Sequence, residues 1–208
     1  MDRQKIRKEL GLSPDHYLIS QIGIRSWKGN DDTLDAMCLI AERAPQARLL
    51  FVGANAVKEK ILRQNAATRG LAGRVSVLPY REDVPEILAG SDVCVDASYA
   101  GLGITGTLRE ALAVETAVIG TNLKGNPELI EDGKTGLLVP PRNPEALAEA
   151  LLRLIEHPDL AKTMARAGRE RVVTTFSQEV KVLRTEALYR RLLDEKGLSL
   201  ASRTESAP

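Results

Sequence analysis

The chain has 208 residues, 43% of them hydrophobic and 27% charged, with a formal net charge of +1. That length can bury a core, and a near-neutral charge without a Lys/Arg stripe gives no electrostatic reason to expect nucleic acid or an anionic membrane surface as partner. Two cysteines, Cys38 and Cys94, both inside apolar segments, argue against a disulfide framework and for buried thiols in a reducing compartment.

Residues 1–15 are polar and charged with no apolar centre, so no secretory signal is read there. No apolar run reaches the roughly twenty residues that span a bilayer. The expected location is cytoplasmic, with any membrane attachment made through another domain. From Tyr17 onward, short β-rich runs alternate with helical patterns: Tyr17 to Gly23, Ala47 to Gly53, Arg74 to Pro79, Asp92 to Ser98, Ala117 to Thr121 and Gly136 to Pro140. Most are continuously apolar, as strands covered on both faces are. Between them, helical patterns run from about Asp32 to Arg43, Val57 to Arg69, Val84 to Ala89, Leu108 to Val114 and Pro127 to Ile130.

Asp83-x-x-Glu86 has the form of a capping box, and Asn126-Pro127 and Asn143-Pro144 place a cap residue before Pro at the first helical position. Three helical stretches follow Pro141, the first with Leu147, Ala150, Leu151 and Leu154 on one face. The last residues, 197–208, are rich in Ser, Thr and Glu and are expected to be a disordered tail. The pattern predicts one doubly wound α/β domain over residues 1–196, a parallel sheet of about six strands with extra C-terminal helices. Such sheets bind ligands beyond the carboxyl ends of their strands, so the loops there carry the functional reading.

The loop after the first strand, GIRSWKGND, sets Arg25 and Lys28 just past Gly23. A fork donor and a mobile point charge suit a diphosphate, each charge-assisted contact contributing on the order of 1.5–3 kcal/mol; a solvated basic turn is the other reading. After the fourth strand, AGLGITGTLREALA opens the backbone at Gly101, Gly103 and Gly106 and enters a helix near Thr107 and Leu108. A glycine-rich turn feeding a helix N-terminus favours an anion. The glycines have the G-x-G-x-x-G spacing, but the dinucleotide fingerprint belongs after the first strand. Glu110 either closes a capping box with Thr107 or grips vicinal hydroxyls such as those of a ribose, and both can hold. In the segment Asn122 to Pro141, Glu128 either caps its helix or faces the crevice. The two histidines, His16 and His157, lie in polar, turn-like surroundings; no metal-ligand set is read.

In this order and spacing, the three loops resemble the C-terminal domain of the retaining GT-B glycosyltransferases called group 1. The resemblance rests on Gly23, Arg25, Lys28 and Gly29, on Val52-Gly53, on VSVLPYREDVPEILAGSDVCVDAS leading to a motif that ends at Glu110, and on Gly125 to Val139. It covers about Arg7 to Leu193 and implies a Rossmann-like sheet, one half of a GT-B fold, whose donor is a UDP- or GDP-sugar and which needs no cofactor.

By that resemblance Arg25 and Lys28 are the catalytic cations, holding the donor diphosphate and offsetting charge on the departing nucleotide. Glu110 binds the ribose hydroxyls, and backbone amides near Gly103, Gly106, Thr107 and Leu108 meet the phosphates. Pro79, Tyr80 and Arg81 border the base, and Glu86 and Glu128 lie near the crevice. Two positions depart from the family: Leu102 stands where the first motif Glu contacts the donor sugar, and Lys124 where a Gly is common. The family also carries an N-terminal domain that holds the acceptor, so this chain is expected to be an isolated donor domain. The alternatives are a nucleotide-sugar epimerase and a non-catalytic nucleotide-binding or scaffold module of the same fold.

Overall fold

The computed structural model describes residues 2–101, 103–123 and 125–198; Leu102, Lys124 and residues 199–208 of the expected tail lie outside them. The strands are β1 (Tyr17–Ile22), β2 (Ala47–Val52), β3 (Val75–Leu78), β4 (Val93–Asp96), β5 (Ala117–Thr121) and β6 (Leu137–Val139). The helices are α1 (Lys5–Glu9), α2 (Asn30–Leu39), α3 (Ala56–Thr68), α4 (Val84–Gly90), α5 (Gly106–Ala113), α6 (Asn126–Leu129), α7 (Pro144–Glu156), α8 (Pro158–Thr175) and α9 (Gln178–Glu195). Every expected strand forms, and all six pair in parallel in the order β3-β2-β1-β4-β5-β6.

Alternate residues of the strands feed two cores, which is why most of the runs are largely apolar. On one face Ile19, Leu49, Phe51, Val95 and Ile119 pack under Leu34 and Met37 of α2, Leu62 of α3 and Leu151 and Leu154 of α7. On the other, Cys94 and Val118 meet Leu108 and Leu112 of α5, while Leu18, Leu50 and Val52 meet Ile87 of α4 and Ile6 of α1. The sequence pattern gave no helix at α1. Its single buried residue, Ile6, anchors it, and the Arg7 guanidinium donates to Asp92 at 3.0 Å. Helix α9 has no buried residue, and no helix among the described residues is long and apolar enough to cross a membrane.

Helix starts differ from the sequence pattern where tertiary partners take the capping groups. Asp83 stands at the N-cap of α4 but caps nothing. Its carboxylate accepts from Arg81 at 2.8 Å and Lys5 at 3.0 Å, and those cations hold it well below the usual carboxylate range. Asn126 is the first residue of α6, behind an N-cap at Gly125. Its amide donates to Thr121 O and accepts from Thr105 N. The cap expected at Asn143 does form, its side chain accepting from Ala146 N at 2.8 Å.

The strand order reverses between β1 and β4. That switch point lets the loops leaving two neighbouring strands diverge to opposite faces, opening a crevice beyond their carboxyl ends.

Candidate functional site

Two loops flank the switch point, residues 23–29 after β1 and 97–105 after β4. Gly29 locks them together. It sits at φ +63°, and a Cβ there would lie 2.0 Å from the Ala97 carbonyl oxygen, so only glycine permits the approach. Tyr99 completes the clasp: its hydroxyl donates to Ser26 O and its amide to Trp27 O, while the Arg142 guanidinium lies 4.1 Å over its ring.

Beside the clasp, the two loops and α5 bound a cleft of about 310 Å³ lined by Trp27, Lys28, Asp96, Ser98, Gly103, Thr105, Gly106, Thr107, Glu110 and Asn126. Helix α5 points its N-terminus into this cleft. Among the described residues no side chain caps it, so first-turn amides are left to an incoming acceptor. The Thr107–Glu110 box does not form, because the helix starts at Gly106 and Thr105 is its N-cap. Glu110 is then one turn further on, exposed and lining the cleft. Among the described residues, a Cβ at Gly101, Gly103 or Gly106 would meet nothing within 4 Å, which leaves the backbone open as the sequence suggested.

Lys28 is not a freely mobile charge here. Its Nζ donates to Asp96 Oδ1 at 2.7 Å, with side-chain exposures of 16% and 3%. Asp96 also accepts from the hydroxyls of Ser98 at 2.8 Å and Thr105 at 3.1 Å. A buried carboxylate with three donors satisfies its desolvated lone pairs.

Arg25 lines two other clefts. One, of about 410 Å³, includes Gly23, Gly53, Lys58, Tyr80 and Arg81; the second, of about 330 Å³, includes Asp31, Asp32, Lys58 and Tyr99. Arg25 is exposed and lies 5.6 Å over the Trp27 ring. Tyr80 is 78% exposed. Arg81 is held by Glu9 at 2.6 Å and by Asp83. Lys58, which the sequence pattern did not single out, donates from Nζ to Ile24 O at 2.8 Å and so braces the loop.

Lys28, Gly103, Gly106, Thr107 and Glu110 therefore share one cleft, and Gly23, Arg25, Tyr80 and Arg81 another. Pro79, Glu86 and Glu128 line neither. The Leu108 side chain is fully buried in the core, which confines any ligand contact there to its backbone. Glu128 is exposed on α6, its carbonyl accepting from Arg171 of α8 at 2.8 Å. Leu102 and Lys124 fall outside the described residues. Among the described residues, no three His, Cys, Asp or Glu side chains cluster to hold a metal.

The family described as Glycosyl transferases group 1 matches residues 15–157. The chain is 34% identical over 205 residues to the alpha-maltose-1-phosphate synthase of Mycolicibacterium smegmatis, covering 91% of this chain and 51% of that protein. It is 30% identical over 190 residues to the N-acetyl-alpha-D-glucosaminyl L-malate synthase of Bacillus anthracis, covering 90% and 49%. The chain thus spans about half the length of the curated relatives it matches. Among solved structures it is similar to Anabaena HepE in complex with UDP and glucose, with a TM-score of 0.82 at 26% identity over 90% of this chain and 52% of that one. It is also similar to the C-terminal domain of the glycosyl transferase group 1 family protein LpcC from Francisella tularensis, with a TM-score of 0.75 at 26% identity over 85% and 94%. A match over most of the chain, on a sheet of the same Rossmann-like topology as these GT-B structures, makes this chain a member of the group 1 glycosyltransferase family.

Proposed function

We propose that residues 1–196 are the donor-binding domain of a cytoplasmic glycosyltransferase of the hexosyl-transferring type, and that residues 197–208 are a tail outside it. The donor is a nucleotide diphosphate sugar, UDP- or GDP-linked, and transfer proceeds with retention to an acceptor held by an N-terminal domain outside these 208 residues. The observation that carries this is the convergence of Lys28, the uncapped N-terminus of α5 and Glu110 on one cleft at the switch point. A cation and free amides favour a diphosphate, and a carboxylate one turn along the helix accepts hydrogen bonds from ribose hydroxyls. The solved neighbour with UDP and glucose bound supports the ligand class.

In this reading the base lies toward Pro79, Tyr80 and Arg81, and Arg25 reaches the diphosphate from the adjoining cleft. Arg25 and Lys28 then offset the charge that builds on the nucleotide as the sugar departs. Positive charge placed where the leaving group becomes more negative lowers the barrier more than it tightens ground-state binding. Neither a metal nor an organic cofactor enters the scheme.

Calorimetric titration of UDP, GDP and ADP into the chain tests the reading. At least one should bind, and Arg25→Ala should weaken it about tenfold, the effect of losing one exposed charge-assisted contact. No binding by any of the three, or binding untouched by Arg25→Ala, overturns the proposal.

A further inference from the structure

The anion-binding cleft contains an anion of its own. Asp96 is 3% exposed, ends β4 and lines the cleft beside Gly106, Thr107 and Glu110. It is held in place from below by the Ser98 and Thr105 hydroxyls. Lys28 has a fixed root and a flexible stem. Its carbonyl accepts from Gln21 Nε2 at 2.6 Å, and the next residue, Gly29, is wedged against Ala97. Among the described residues, the tip is pinned by Asp96 alone, at 2.7 Å.

We propose that Asp96 is a positioning residue that latches Lys28 before nucleotide binds, and that the diphosphate of the nucleotide takes the lysine from it. The inference rests on the donor-site reading above. Asp96 is fixed while the lysine stem can swing, so the exchange moves one side chain and no backbone. Its energetic consequence is one-sided. Once Lys28 turns to the ligand, Asp96 keeps the two neutral donors Ser98 and Thr105 among the described residues and faces a second anion across the cleft. The latch therefore weakens nucleotide binding. That favours release of the nucleoside diphosphate left after the sugar has gone, a product that otherwise binds the same cations as the donor.

Asp96→Asn tests this, because asparagine keeps the shape and can still bond the Ser98 and Thr105 hydroxyls. Asp96→Ser is a second neutral variant should the first not fold. Two readouts are needed. UDP affinity, measured by calorimetry, should rise about tenfold when one charge-assisted contact no longer has to be surrendered. Lys28, acetylated with a limiting amine reagent in the absence of nucleotide and mapped by mass spectrometry, should react several-fold faster than in the unaltered chain. A merely structural Asp96 would not speed the reaction of one amine. Failure of the unaltered chain to bind UDP, GDP or ADP sinks the donor-site reading. Binding by the unaltered chain, with no gain in a folded variant or with Lys28 reactivity unchanged, sinks the latch alone.

Discussion

At Gly29 a single hydrogen decides whether the two functional loops can meet. The residue holds φ +63°, and the site of a Cβ lies 2.0 Å from Ala97 O, 2.8 Å from Ala97 C and 2.9 Å from Ala97 Cβ. Backbone cannot yield as a flexible side-chain tip would. Gly29→Ala should therefore strain φ and also push the loop after β1 away from the loop after β4, costing on the order of 2–4 kcal/mol. In a chain of this size the melting temperature should fall by roughly 5–15 °C, read by thermal denaturation followed by circular dichroism. The displaced loop should carry Lys28 out of reach of the α5 N-terminus as well as of Asp96, so UDP binding should be lost; an unshifted melt would show that the loops are not clasped at this point. Not every such residue was legible in the sequence. Lys28 and Glu110 announced themselves by residue type and place after a strand. Asp96 did not, because DVCVDAS reads as a strand. The available signal was a charge inside an apolar run, which needs a partner when buried, and only the fold shows that the partner is Lys28.

At the scale of elements, tertiary packing overrules local preference at the α5–α8 contact. Glycine in a helix interior costs roughly 1 kcal/mol relative to alanine, so Gly168→Ala should stabilise α8 if propensity ruled. The Cβ would stand 2.3 Å from Leu112 Cδ2 and 2.9 Å from Thr135 O. Leu112 is fully buried, so it has little room to retreat, and overpacking of this kind costs about 1–3 kcal/mol. The clash should win: Gly168→Ala should lower the midpoint of urea unfolding. A raised midpoint would mean that α8 slides freely on α5. The same contest explains which elements the sequence foretold. All six strands were legible, most because two-faced burial writes a near-continuous apolar run, and β3 because Val75 and Val77 alternate with Ser76 at an edge. The capping boxes at Asp83 and Thr107 were not realised, since Asp83 is drawn to Arg81 and Lys5 and α5 begins one residue before Thr107. Capping depends on what else a side chain can reach, and that is settled by the fold.

For the whole molecule, the sequence pattern foretold a parallel α/β sheet but not its strand order, and strand order places the crevice. Sequence-adjacent β3 and β4 are farther apart in the sheet than β1 and β4, which are not consecutive; that is what brings the loop of Lys28 to the helix of Glu110. The long-range field adds little, since a net charge of +1 does not steer a nucleotide, and attraction must come from the local cations. Holding a donor is also only half of transfer. Relatives matched here are about twice the length of this chain, and a donor domain alone leaves the acceptor to arrive from bulk solution. Pre-positioning of two reactants is worth roughly 7–11 kcal/mol, a factor of about 10⁵ or more in rate. With UDP-glucose, or the GDP-sugar if that base binds, and a simple sugar acceptor, the chain should therefore bind the donor by calorimetry yet release nucleoside diphosphate no faster than buffer. Steady product release by this chain, abolished by Lys28→Met, would show that these residues already contain a complete active site and that the acceptor needs no second domain.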